Sequence, residues 1–131
     1  MPETRFARSG ERRIAYQVAG EGPVDVVFRG SSFLPVDAVW EWEPSAAFRG
    51  RLASFSRLIM FDRPGAGATD PLSPGAAPAV EAWSDDLLAV LDEIGSTRTA
   101  VLGSLDGGLF AIVFAAAHPE RRDRGYLLTA K

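Results

Sequence analysis

The chain has 131 residues, 47% of them hydrophobic, and its 14 Lys and Arg against 17 Asp and Glu give a formal net charge of −3. That length can bury one real core, the composition excludes wholesale disorder, and the lack of a basic stripe argues against nucleic acid as a main partner. With no cysteine in the chain, disulfides, thiolate chemistry and cysteine-built zinc sites are excluded.

The opening Met1-Pro2-Glu3-Thr4-Arg5 has no apolar leader pattern. No apolar run approaches the ~20 residues of a membrane span, so a soluble, cytoplasmic chain is expected. Arg5-Phe6-Ala7-Arg8 and Arg12-Ile14-Tyr16-Val18 alternate about Ser9-Gly10-Glu11 and predict a hairpin. The β-branched run Val24 to Phe28 predicts a buried parallel strand. Ser45 is a plausible N-cap for a helix over Ala46 to Phe55, with Phe48, Leu52 and Phe55 on one face. Leu58 to Phe61 reads as a second buried strand, and the glycine- and proline-rich stretch from Asp62 to Ala79 as a long loop. Val80, Trp83, Leu87, Leu88, Leu91 and Ile94 form the apolar stripe of a helix that Gly95 stops. Thr97 to Leu102 predicts a strand, Leu109 to His118 a helix ended by Pro119, and Gly125 to Thr129 a last strand. Arg121, Arg122 and Arg124, interrupted by Glu120 and Asp123, read as a solvated helix end. Strands alternating with helices after a hairpin predict an α/β fold: a three-layer, mostly parallel sheet with an N-terminal antiparallel hairpin.

The segment Val101-Leu102-Gly103-Ser104-Leu105-Asp106-Gly107-Gly108 has the strand, tight turn and helix context of a nucleophile elbow, G-x-S-x-G. Gly103 and Gly107 fit that frame, and the central position holds Leu105, which has no lone pair to attack with. Two other registers stay open. Asp106 flanked by Ser104 and Gly107 is a candidate carboxylate nucleophile, and Ser104 is a hydroxyl candidate.

Taken together, several segments resemble the α/β-hydrolase fold family. Asp62-Arg63-Pro64-Gly65-Ala66-Gly67-Ala68-Thr69-Asp70 resembles its D-R-x-G-x-G-x-S-D segment, Gly103 to Gly108 its elbow G-H-S-x-G-G, and Ala116 to Arg121 its A-x-x-x-P-E-R-V helix ending. Arg51 to Arg57 is similar to a subgroup often attached to class III nucleotide cyclases. The resemblance implies a single partial domain over residues 1–131, ending at about the sixth strand, with the family's acid and histidine belonging to later strands. It also implies ester or related acyl hydrolysis as the parent activity, with no cofactor and no metal. In the family register Leu105 occupies the nucleophile position, so no catalytic residue is expected in this chain as it stands. The backbone N–H groups of Ser31 and Asp106 would be a vestigial oxyanion hole. Two alternatives accompany this reading: a regulatory or interaction module like the cyclase-linked domains, and a hydrolase using Asp106 after complementation by another chain. Self-association, or binding of a complementary hydrolase segment, is the partner expectation.

The remaining motifs favour structural roles. Gly65-Ala66-Gly67 would need glycine at position 70 to bind a dinucleotide, and Asp70 stands there. Asp62 and Arg63 are expected to tie down their loop by hydrogen bonding. His118, the only histidine, is expected to serve a helix end. Trp40 and Trp42 could either line a pocket mouth or cover the core beneath a loop.

Overall fold

The computed structural model describes residues 2–30, 35–72, 80–104 and 106–128. Strands β1 (Arg5–Ser9) and β2 (Arg12–Ala19) form the predicted antiparallel hairpin, with Ser9 opposite Arg12. Gly10 turns the chain at φ 63°, a left-handed conformation that glycine enters without a Cβ penalty. Then follow β3 (Val24–Arg29), α1 (Glu43–Ala53), β4 (Ser56–Phe61), α2 (Val80–Ile94), β5 (Thr99–Ser104), α3 (Asp106–Ala117) and β6 (Arg122–Leu128). The sheet order is β1-β2-β4-β3-β5-β6. β2 meets β4 antiparallel, whereas β4, β3, β5 and β6 run parallel. The β-branched run of β3 thus lies at the centre, paired on both sides.

Period-two alternation in the central strands sends side chains to two separate cores. Val27, Ile59, Phe61 and Val101 pack with Leu87, Val90, Leu91, Phe110 and Phe114 from α2 and α3. Val26, Phe28, Leu58 and Met60 pack on the opposite face with Val36, Val39 and Leu52. Helices on both faces make three layers, as the alternation predicts. Each fully buried leucine of α2 stabilises the fold by about 1.5–3 kcal/mol. No helix of the described residues is long and apolar enough to cross a membrane.

Three local expectations need correction. Helix α1 starts at Glu43 with Trp42 as N-cap, because Pro44 suits the first helical turn. Ser45 is therefore inside the helix rather than capping it, and the predicted Phe48–Leu52–Phe55 face is not the buried one. The inward positions are Ser45, Arg49 and Leu52, while Phe48 and Phe55 are exposed. Helix α3 begins at Asp106, not Leu109, so Gly107 and Gly108 belong to its first turn. Finally, Arg122 and Arg124 lie in strand β6 rather than at a solvated helix end. Arg121, in the turn before it, donates from Nη2 to Asp92 (2.9 Å) and to the Ser96 carbonyl (2.9 Å). The charge pattern follows a helix, but from Pro119 the chain turns straight into the next strand.

Candidate active site

Three chain segments converge at the C-terminal edge of the parallel strands: the end of β3, the loop after β4, and the junction of β5 with α3. Arg29 is the register partner of Gly103, which ties the end of β3 to the elbow. A Cβ on Gly103 would strike the Gly107 carbonyl oxygen, and a Cβ on Gly107 would strike the carbonyl of Arg29. Strand, helix and neighbouring strand therefore meet backbone to backbone, which only glycine permits. Strand β5 ends at Ser104 and α3 opens at Asp106, leaving one residue between them. That residue is Leu105, which lies outside the described residues, as does Ser31. Ser104 is half-buried at the strand end.

The loop after β4 is held by Asp62, as the sequence predicts. Its Oδ1 accepts from the Val36 N–H (2.9 Å) and its Oδ2 from the Ala68 N–H (3.2 Å). Gly67, at φ 53°, leaves room for that carboxylate. Burial pushes the Asp62 carboxyl above its ordinary value, opposed by the two amide donors and by the charge of Arg29. Farther along the loop, the Thr69 hydroxyl accepts from the Ala15 N–H (2.9 Å) and the Asp70 carboxylate from the Arg13 N–H (2.8 Å), pinning it to β2.

Arg63 ties the loop through its carbonyl, which accepts from the Ala66 N–H (3.0 Å), and adds a side-chain contact. Its guanidinium lies 5.8 Å from the centroid of Trp83, and that of Arg29 lies 5.5 Å from the same ring and 5.6 Å from Phe61. Such cation–π contacts hold both cations near the strand ends. Arg29 also donates from Nη1 to the Phe61 carbonyl (3.3 Å).

His118 lies at the other end of α3, roughly 18 Å from the elbow by helix rise. Its ring packs on Phe114 at 5.1 Å, its Nδ1 stands 3.7 Å from Glu120, and its carbonyl accepts from the Arg121 N–H. It serves the helix end and does not approach the elbow. Trp40 is half-buried against the core, its Nε1 donating to Gln17 (2.8 Å), whereas Trp42 is exposed. Among the described residues no group of three or more His, Asp or Glu could hold a metal ion.

Two buried cations, Arg29 and Arg49, are absent from the sequence-level candidates. For Arg29 the signal was present, since it follows Val27 by two positions and so shares its buried face. For Arg49 the apolar spacing of Phe48, Leu52 and Phe55 points to a different helix face, and Phe55 lies beyond the end of α1.

No protein-family model matches the chain. It is 37% identical over 70 residues to the 2-hydroxy-6-oxononadienedioate/2-hydroxy-6-oxononatrienedioate hydrolase of Cupriavidus pinatubonensis, covering 53% of this chain and 24% of that enzyme. Among solved structures, a bacterial membrane phospholipase A superposes with a TM-score of 0.80 at 21% identity, over 98% of this chain and 40% of that one. Est816, an N-acyl homoserine lactone degrading enzyme, superposes with a TM-score of 0.76 at 25% identity, over 95% of this chain and 45% of that one. The chain thus spans about a quarter of this curated relative and less than half of these solved structures.

Proposed function

Starting from the premise that this chain belongs to the α/β-hydrolase fold family, we propose that it is a hydrolase-derived segment that does not turn over substrate as it stands. The observation that carries this reading is the elbow. Gly103 and Gly107 make the close contacts that the tight turn needs, which supports the register in which Leu105 takes the nucleophile position. Leucine cannot form an acyl intermediate. The one histidine stands at the far end of α3, where it cannot take a proton from this turn. The relatives' names share hydrolysis, and for a longer parent chain the narrower reading is ester or related acyl hydrolysis. The Asp106 alternative has less support, since Asp106 is the first residue of α3 rather than the residue between strand and helix. A regulatory or interaction role related to cyclase-linked hydrolase domains is compatible with a silent elbow, and we assign no partner to it.

The test is turnover of activated esters and haloalkanes by the purified chain, with burst-phase detection. The expected result is no rate above buffer, and Leu105→Ser alone should not restore it. A stoichiometric burst abolished by Asp106→Ala or Ser104→Ala would overturn the reading and identify the nucleophile.

A further inference from the structure

The buried side of α1 carries a charge that the rest of the described structure does not balance. Arg49 is 9% exposed. Its Nη1 donates to the Ser45 hydroxyl (2.6 Å), one helical turn back, and its guanidinium lies 5.0 Å from the centroid of Phe28. Its Nε is buried without a hydrogen-bond partner. Among the described residues no carboxylate pairs with it, and Glu43 in the first turn of the same helix faces solvent. A buried cation with one neutral partner bears a desolvation cost that an opposite charge would offset. Burial accordingly pulls the Arg49 guanidinium below its ordinary value.

The position of this cation relative to the elbow gives it a use. Nη2 lies 3.7 Å from the point where a Cβ on Gly30 would stand. Gly30 directly follows Arg29, whose carbonyl abuts Gly107 in the first turn of α3. We propose that Arg49, beside Gly30 at the elbow end of the sheet, is the receptor for a small oxyanion, a carboxylate or a phosphate. The unsatisfied Nε–H and the neighbouring Nη2 form one edge of the guanidinium fork, which matches two oxygens of such a group. A Cβ on Gly30 would stand 3.1 Å from the Phe28 ring that the guanidinium packs on, so glycine there keeps a side chain from crowding it. The site would act whether or not the elbow turns over substrate.

The test measures binding, not turnover, so its failure is distinguishable from failure of the functional reading. Thermal melts of the chain in acetate and in inorganic phosphate are compared with melts in chloride at matched ionic strength. Saturable stabilisation by either oxyanion is expected. Acetate alone points to a carboxylate ligand and stronger phosphate stabilisation to a phosphoryl group. In Arg49→Met the half-saturating concentration should rise by about tenfold or more, the worth of a charge-assisted pair, while Arg49→Lys keeps part of the response. Should Arg49→Met fail to fold, the Nε–H resonance of Arg49 in the unaltered chain serves, and it should shift during either titration. An unmoved resonance, a melt that responds no more to oxyanions than to chloride, or an equal response in Arg49→Met overturns the proposal.

Discussion

Where β5 hands over to α3, one methyl group is enough to separate strand from helix. Gly107→Ala would drive a Cβ into the Arg29 carbonyl, a backbone atom that cannot rotate away. Overpacking of this kind costs about 1–3 kcal/mol, so the melting temperature should drop by several degrees. Gly50 is the control, being a glycine in α1 with nothing within 4 Å of a would-be Cβ. Gly50→Ala should stabilise by about 0.5–1 kcal/mol through helix propensity. If both substitutions have the same sign, the close approach at the elbow is wrong. Carboxylates divide at this scale too. Arg57 donates to Asp25 from Nε (2.7 Å) and Nη2 (2.8 Å), and Ser96 Oγ donates at 2.6 Å, so the Asp25 carboxyl is held below its ordinary 3.8. A lowered folded value means that the contribution is present above the unfolded value and is lost as pH falls through the folded one. Asp62, raised chiefly by burial, has the opposite sign: its stabilisation is fullest below the unfolded value and fades as pH rises through the folded one. Asp25→Asn should therefore lower stability at neutral pH and flatten its decline in acid, as read from denaturant midpoints across a pH series.

Among elements, the hairpin and α2 are joined by an ion pair that spans 74 positions in sequence. Arg12 donates to both oxygens of Asp86, at 2.8 Å and 3.1 Å, and Nη2 and Nε also reach the carbonyls of Asp70 and Pro71. The Asp86 side chain is 1% exposed, and burial raises its carboxyl above the ordinary value despite the arginine. Removing one partner of a buried pair leaves the other charge uncompensated, at about 3–5 kcal/mol. Arg12→Met should approach that loss, whereas Arg12→Met combined with Asp86→Leu should recover most of it. A double variant no more stable than Arg12→Met, by urea denaturation, would show that Arg12 acts through its carbonyl contacts instead.

For the whole molecule, the two ends of the sheet differ. β1 packs beside α2 and turns back on β2, whereas β6 pairs only with β5 among the described strands. Beside β6, α3 exposes Leu109 and Ile112 at i and i+3, and α1 exposes Phe48 on the opposite layer. An open strand edge next to apolar side chains favours association. We propose that the chain self-associates or takes up a complementary hydrolase segment there. Light scattering should give a mass that rises with concentration, and Leu109→Lys with Ile112→Lys should reduce it. A monodisperse monomer that binds no hydrophobic dye would refute this.

Sequence periodicity alone determined much of this protein. The hairpin, the central β-branched strand and the α2 stripe follow from alternation and turn residues, which are local properties. Asp62 as the tie of its loop and His118 as a helix-end residue were also legible, because neighbouring proline and glycine restrict what those side chains can reach. Several segments carry the family resemblance, and for the glycine spacing at the elbow the close contacts of Gly103 and Gly107 supply the physical reason. Tertiary structure alone decided the rest. The inward face of α1 depends on Arg49 finding Phe28 and Ser45, not on where Phe48 falls. The partnership of Arg12 with Asp86, and the placing of Arg29 between Phe61 and Trp83, join residues that are far apart in sequence. Each rests on burial and charge compensation across the fold, which no local pattern encodes.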